Sequence, residues 1–442
     1  HAMAGRGSVK IRTMTRMLRG VLAHTPSTGF EAFSDGALAI REGRIVAVGA
    51  FAELQSQYPQ AEVSDLREGV ILPGFVDLHV HYPQVRIIGA LGHRLLDWLE
   101  SNTLPEEAKL ADAVYARALA QDFLRGLLKN GTTTALVFGS HFAAAMEVFF
   151  QEAAASRLRI LTGLVLSDRN LRPELHTTPL RAYRESLELA REWHGKGKLR
   201  YAVTPRFSLS CSEAILEVCQ QVQAEVSGAL FTSHLNEMPE EIAAVKELFP
   251  WAASYLETYD RFGLVSERAV FAHNVYPQDL ELERLAAHRA AVAHCPCSNA
   301  FIGSGIFPLK RHLQAGVKFG LGTDVAGGTG FGLLKEGLMA YLVQRLLPEG
   351  YLLTAPQLLY LATRAGAEAL NLQDEIGDFG VGKAADLVYV KPPKGSSLEA
   401  VLRHAETPEQ MLGALFTMAS EADIAQVFVD GEERLDFGSA VL

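Results

Sequence analysis

Cysteine is scarce: four in 442 residues, at Cys211, Cys219, Cys295 and Cys297. Their spacing forms neither a disulfide framework nor a zinc ribbon, and Cys295-Pro296-Cys297 lacks the second pair a metal site needs. The thiols are therefore expected to be spectators in a reducing cytoplasm. Clustered Lys and Arg are missing too, and the formal net charge is −10. That excludes the basic surface that nucleic acid or an anionic membrane requires. No apolar run is long enough to span a bilayer. The opening residues, HAMAGRGSVK, lack the apolar core of a signal peptide. Finally, no GxGxxG turn follows any strand pattern, which argues against a dinucleotide-binding open sheet. These absences point to a cytoplasmic protein that binds neither nucleic acid nor membrane.

What is present suits an ordinary globular chain: 48% hydrophobic and 21% charged residues, long enough for two to three domains. After residue 70, short apolar runs alternate with longer helical patterns. The runs span 70–81, 132–139, 159–167, 199–207, 229–237, 269–276, 290–299 and 317–325. They are apolar nearly throughout, as strands buried on both faces must be. Helix-period patterns lie between them, at 141–155, 179–194 and 211–226. Eight such repeats predict an α/β chain with a (β/α)8 TIM barrel over 71–374. The connection after the first strand, 82–110, is long enough to be functional. Both ends carry alternating strand patterns: 35–49 around a Glu42-Gly43 turn, then 385–391 and 425–435. They are expected to join as one small β-sandwich domain, 9–70 plus 375–442.

The first barrel strand reads FVDLHVHYPQ (75–84). A buried strand has little use for two imidazoles. His79 and His81, two residues apart, share one face and sit at the carboxyl end, where barrel sites are built. Strand five ends in Ser233-His234-Leu235-Asn236-Glu237, strand six in His273-Asn274 and strand eight in Thr323-Asp324. Three imidazoles and a carboxylate make a four-ligand N/O site for zinc or a similar divalent metal. His141 and His294, also at strand ends, are read as ordinary core or surface histidines, at most outer groups that orient ligands, and not as ligands.

PGFVDLHVH, SHLNE, FAHN and GTD together resemble the motifs of the amidohydrolase superfamily, and HCPCSN (294–299) is similar to a segment of its purine and pyrimidine deaminase branch. HYPQ, LLDWLESNTLPEE (95–107), DRN (168–170), WHGKGKLRYAVTPRF (193–207) and GSGIFPL (303–309) narrow the resemblance to members acting on guanine. The likeness covers nearly the whole chain. It implies one divalent metal per chain, zinc or else iron, held by His79, His81, His234 and Asp324, and hydrolysis by a metal-activated hydroxide. Strand four carries no lysine between Leu199 and Phe207, so the carbamate that bridges two metals in many relatives has no source.

The resemblance further implies Glu237 as the proton shuttle, Asp324 as the base for water, and His273 as a hydrogen-bonding partner of the attacking oxygen, its metal ligation left open. Gln84, Arg206, Phe207 and His234 are the expected substrate contacts. Arginine's planar fork matches the O6 and N7 acceptors of guanine. Phe207 stacks on the base only if the chain leaves strand geometry at 206–207, since strand neighbours face opposite ways. A homodimer is implied as well. Competing readings are a deaminase of another amino-purine or a triazine, and a non-catalytic scaffold, which would be free to lose these residues.

Overall fold

The computed structural model describes residues 14–434. Residues 9–13 and 435–442, included in the expected end domain, lie outside them. Four strands come first: β1 (Arg16–His24), β2 (Glu31–Arg41), β3 (Arg44–Ala50) and β4 (Glu62–Pro73). The barrel strands follow: β5 (Phe75–His81), β6 (Thr132–Phe138), β7 (Arg159–Gly163), β8 (Val165–Leu166), β9 (Arg200–Pro205), β10 (Leu230–Leu235), β11 (Ala269–His273), β12 (Ala291–His294) and β13 (Lys318–Leu321). The last strands are β14 (Leu387–Val390), β15 (Ile424–Val429) and β16 (Glu432–Glu433).

β5 to β13 form one parallel sheet in chain order, with β8 continuing β7 beyond Leu164 along β9. Eight staves result, as expected for a (β/α)8 barrel. Their side chains divide between two apolar clusters. Val76, Leu78, Leu136, Leu161, Ala202, Val270 and Ala293 fill the interior, closed off by Ala367, Ala369 and Leu370. Phe75, Ala135, Val137, Ile160, Val203, Phe231 and Phe271 pack against the helices outside. The three helix patterns appear as Ala143–Ser156, Pro179–Trp193 and Glu213–Glu225.

The chain ends join in a second sheet, ordered β16-β15-β14-β4-β1-β2-β3. Most pairs are antiparallel, but β1 and β4 run parallel. The ends meet where β4 pairs with β14, Val70 opposite Val390 and Pro73 opposite Leu387. Only Gly74 separates β4 from β5. A Cβ there would lie 2.1 Å from Thr133 Oγ1, so this close approach requires glycine. The carboxyl-terminal part is less purely β than its sequence suggested. Ser397–His404 and Pro408–Met418 are helices, capped by Ser396 and Thr407.

Leu136 is fully buried in the barrel interior, so Leu136→Ala is expected to cost about 2–5 kcal/mol, read as a lower urea midpoint. A midpoint equal to the parent's would contradict a filled interior.

Candidate active site

Closure of the barrel positions the first histidines. β5 and β13 end the sheet order and are joined just beyond β13: the Asp324 N–H donates to the His79 carbonyl (2.7 Å), and the His81 N–H to that of Val325 (3.1 Å). Asp77 clamps the same seam. Its Oδ1 accepts from the backbone N–H of Thr323 (3.0 Å) and His79 (3.1 Å), and its Oδ2 from the Thr323 hydroxyl (2.5 Å). Against β6, Asp77 pairs with Ala135 but Val80 with Val137. β5 therefore takes three steps where β6 takes two, which is a bulge. The bulge lets Leu78 pack inside the barrel while His79 and His81 also turn inward above it. Other strand ends leave strand geometry too: His273 (φ 79°), Asn236 (φ 49°) and Asp324 (φ 49°) are left-handed. Such conformations cost about 1–3 kcal/mol each and gather where side chains must be aimed.

The candidate ligands converge. His79 Nε2 and His81 Nε2 lie 3.1 Å apart, each 3.2 Å from Asp324 Oδ1. One ligand-atom set from His79, His81 and His234, and another from His79, His273 and Asp324, each fall within 4.8 Å of one another. His273 is thus a further candidate donor. Outer contacts fix the rings. His234 Nδ1 donates to the Arg206 carbonyl (2.6 Å), leaving the Nε2 lone pair free. His273 Nδ1 faces Asn299 Oδ1 at 3.1 Å, while its Nε2 lies 3.4 Å from Glu237 Oε1 and 3.5 Å from Asp324 Oδ2. Ser298 donates to Asp324 Oδ2 at 2.6 Å, directing Oδ1 to the histidines. Imidazole lone pairs crowded together around one carboxylate oxygen need a cation between them, and this N/O donor set suits zinc or a similar divalent ion. The residues fit a metal.

A narrow cavity opens beside this cluster, lined by His81, Gln84, Leu95, Trp98, Leu99, Arg206, Phe207, His234, Glu237, His273, Ile302 and Asp324. Its apolar walls with a few convergent polar groups are those of a small-molecule site. β9 ends at Pro205 and a 3₁₀ turn begins at Ser208, so Arg206 and Phe207 do leave the strand and both line the cavity. Gln84 accepts from the Ala326 N–H (2.9 Å) and donates to Glu107 (3.1 Å). Every sequence-predicted site residue except His79, which lies beneath, borders this space.

Some residues of the cavity carried little signal in the sequence. Leu95, Trp98 and Leu99 lie in the long connection, whose broken helices carry no clean period. Ser298 and Asn299 stand in HCPCSN, where only the resemblance marked them. His141 and His294 make their contacts away from the candidate ligands. His141 faces Ser167 (3.3 Å) and Glu107 (3.6 Å). His294 stacks on Phe307 (4.1 Å), and its ring nitrogens have no hydrogen-bond partner among the described residues. All four cysteines are buried and free; burial pushes the Cys211 thiol up to about 12.

Electrostatics splits the two carboxylates of the cavity. Burial, reinforced by the charge of Asp324, raises Glu237 well above the usual carboxylate range. Burial also pushes Asp324 upward, but His79, His81 and His273 outweigh it and hold that carboxyl well below its ordinary value. Burial lowers the ligand imidazoles, His81 to about 3, and favours the neutral form that binds metals. Two carboxyls pushed in opposite directions can divide acid and base roles.

The Amidohydrolase family model matches residues 70–434, and a model of the bacterial imidazolonepropionase-like composite domain matches 36–61. The chain belongs to the amidohydrolase family. A Deinococcus radiodurans protein named "Probable guanine deaminase" is 57% identical, with 94% of this chain and 98% of that protein covered. The structure of the Escherichia coli guanine deaminase superposes with a TM-score of 0.91 at 36% identity, covering 95% of this chain and 99% of that one. The guanine deaminase of C. acetobutylicum, solved with guanine in its active site, gives a TM-score of 0.89 at 25% identity, covering 95% and 99%. Within the family, the chain takes its place among the guanine deaminases.

Asp77→Ala strands three buried donors at the seam. Each costs about 1–3 kcal/mol, so the urea midpoint should fall by the equivalent of at least about 2 kcal/mol. An unchanged midpoint would show that the seam closes without this carboxylate.

Proposed function

We propose that this chain hydrolyses guanine to xanthine and ammonia, replacing the C2 amino group by oxygen. The observation that carries the reading is that Arg206, Gln84 and Phe207 share one cavity with Glu237 and the histidine cluster. Arg206 spends only Nη1 on hydrogen bonds to described residues, so the rest of its fork is available for O6 and N7. Gln84 keeps one N–H and one lone pair for the N3/N9 side. Phe207 offers a face to the purine. Adenine presents a donor at its six position, which Arg206 repels.

His79, His81, His234 and Asp324 would hold one divalent cation, taken as zinc from its preference for such donors. A cation bound there lowers the pKa of a water towards about 7 and so supplies the nucleophile. Asp324 takes the proton from the attacking water. Glu237, held protonated, donates to the ring nitrogen beside C2 and then passes a proton to the departing ammonia. His273 hydrogen-bonds the attacking oxygen from Nε2. The C2–O bond forms first and makes C2 tetrahedral; Glu237 then collects the proton of the new C2 hydroxyl and hands it to the amino group, and the C2–N bond breaks to release ammonia as C2=O forms. The proposed working form is a cytoplasmic homodimer, as the family resemblance implies.

Ammonia release should be measured over guanine, adenine, guanosine and a triaminotriazine, with xanthine identified as product. Guanine should lead by a wide margin; faster release from adenine or the triazine would hand the site to another base. Glu237→Gln should fold and keep its metal yet lose at least about a hundredfold in turnover, because the amide cannot shuttle a proton. Near-parental turnover would remove Glu237 from the mechanism.

Elemental analysis should find one metal per chain. Chelation should abolish turnover while far-UV circular dichroism stays unchanged, since apolar packing holds the barrel, and zinc should restore activity. Two metals at full occupancy, or undiminished turnover without metal, would contradict the proposal.

A further inference from the structure

Glu107 is a carboxylate that this chemistry does not use, yet only 3% of it is exposed. It lies in the short helix Leu104–Ala108, inside the long connection after β5. It does not line the cavity; it stands behind it. Its Oε1 and Oε2 accept from Arg206 Nη1 at 2.8 and 3.1 Å. Oε1 also accepts from Gln84 Nε2 at 3.1 Å, and Oε2 lies 3.6 Å from His141 Nδ1. One carboxylate thus gathers side chains delivered by the ends of three barrel strands, β5, β6 and β9.

Two physical needs meet there. The Arg206 side chain is 4% exposed, and a guanidinium in that setting needs a counter-charge. The cavity also holds the carboxyl of Asp324, which would draw an unanchored guanidinium towards the reacting atoms. Glu107 holds it back by one Nη1. Gln84 has the complementary problem, since an amide can turn over. With Nε2 on Glu107 and Oε1 on the Ala326 N–H, only one orientation satisfies both ends.

We propose that Glu107 is the positioning residue for base recognition: its buried carboxylate sets the guanidinium of Arg206 and the amide of Gln84 in the orientation that reads the O6/N7 and N3/N9 edges of guanine. The inference rests on the assignment of guanine as substrate. Glu107 touches neither substrate nor metal and acts through its two partners. Because Arg206 grips O6 and N7, away from the reacting carbon, that contact binds ground state and transition state alike, and its loss falls on KM.

The test compares the parent, Glu107→Gln, Arg206→Ala and the double variant, all loaded with metal and assayed on guanine. Glu107→Gln should raise KM at least about tenfold, the scale of one charged hydrogen bond, with kcat within about threefold. In the Arg206→Ala background the same change should add less than about threefold, because contacting residues acting through one another are not additive. If Glu107→Gln fails to fold, Glu107→Asp, which keeps the charge at shorter reach, should fold and still raise KM. An unchanged KM in the variant that folds, a loss confined to kcat, or multiplying effects in the double variant would overturn the proposal. Absence of guanine turnover by the parent would overturn the substrate assignment instead, and this inference with it.

Discussion

The Asp77 carboxylate holds the first barrel strand to the segment after the eighth, and the rest of the site depends on that seam. A barrel of parallel strands has one place where its two ends must find each other. Here it lies beside the histidine cluster: the residues whose backbones close it, His79, His81 and Asp324, also carry candidate metal ligands on their side chains. Fixing one fixes the other. Ser298 and the Arg206 carbonyl then settle Asp324 and His234, so each ligand is aimed by a hydrogen bond outside the cluster or by the closure itself.

Charge is distributed with the same economy. The cavity gathers Glu237, Asp324 and Arg206, nearly all out of water. Left alone, such groups would collapse onto one another. The histidines and Ser298 claim Asp324, and Glu107 claims Arg206. Glu237 donates its backbone N–H to Glu241 (3.2 Å), and burial raises its carboxyl above the usual carboxylate range. Each of these groups has a structural partner on one side and faces the cavity on the other.

Much of this was legible in the sequence, for physical reasons. Strands buried on both faces must be apolar throughout, so eight runs announced the barrel, and polar residues intruding at their carboxyl ends announced the site. Features set by tertiary pairing were not legible. The bulge in β5 appears only when Asp77 and Val80 are matched to β6. Simple alternation placed His79 and His81 on one face correctly but could not show that Leu78 shares the interior with them. The helices at 397–404 and 408–418 carried readable caps at Ser396 and Thr407, overshadowed by the strands on either side. Glu107 had no signal beyond its place in LPEE, because its meaning comes from Arg206, 99 residues away.

The pairing of β4 with β14 has a consequence for the life of the nascent chain. Val70, Ile71 and Leu72 are fully or almost fully buried in the finished sheet, and their partner strand begins at Leu387. At synthesis rates of ~5–20 residues per second, this apolar edge waits roughly 15–60 s for its cover. An uncovered edge of this kind is a template for pairing with other chains. Pro73 at its end removes one donor from that template. The last strands to be made are therefore protective as well as structural: they retire a sticky edge that the ribosome has already exposed. A chain stopped short of β14 would keep its whole barrel sequence and still carry that edge uncovered.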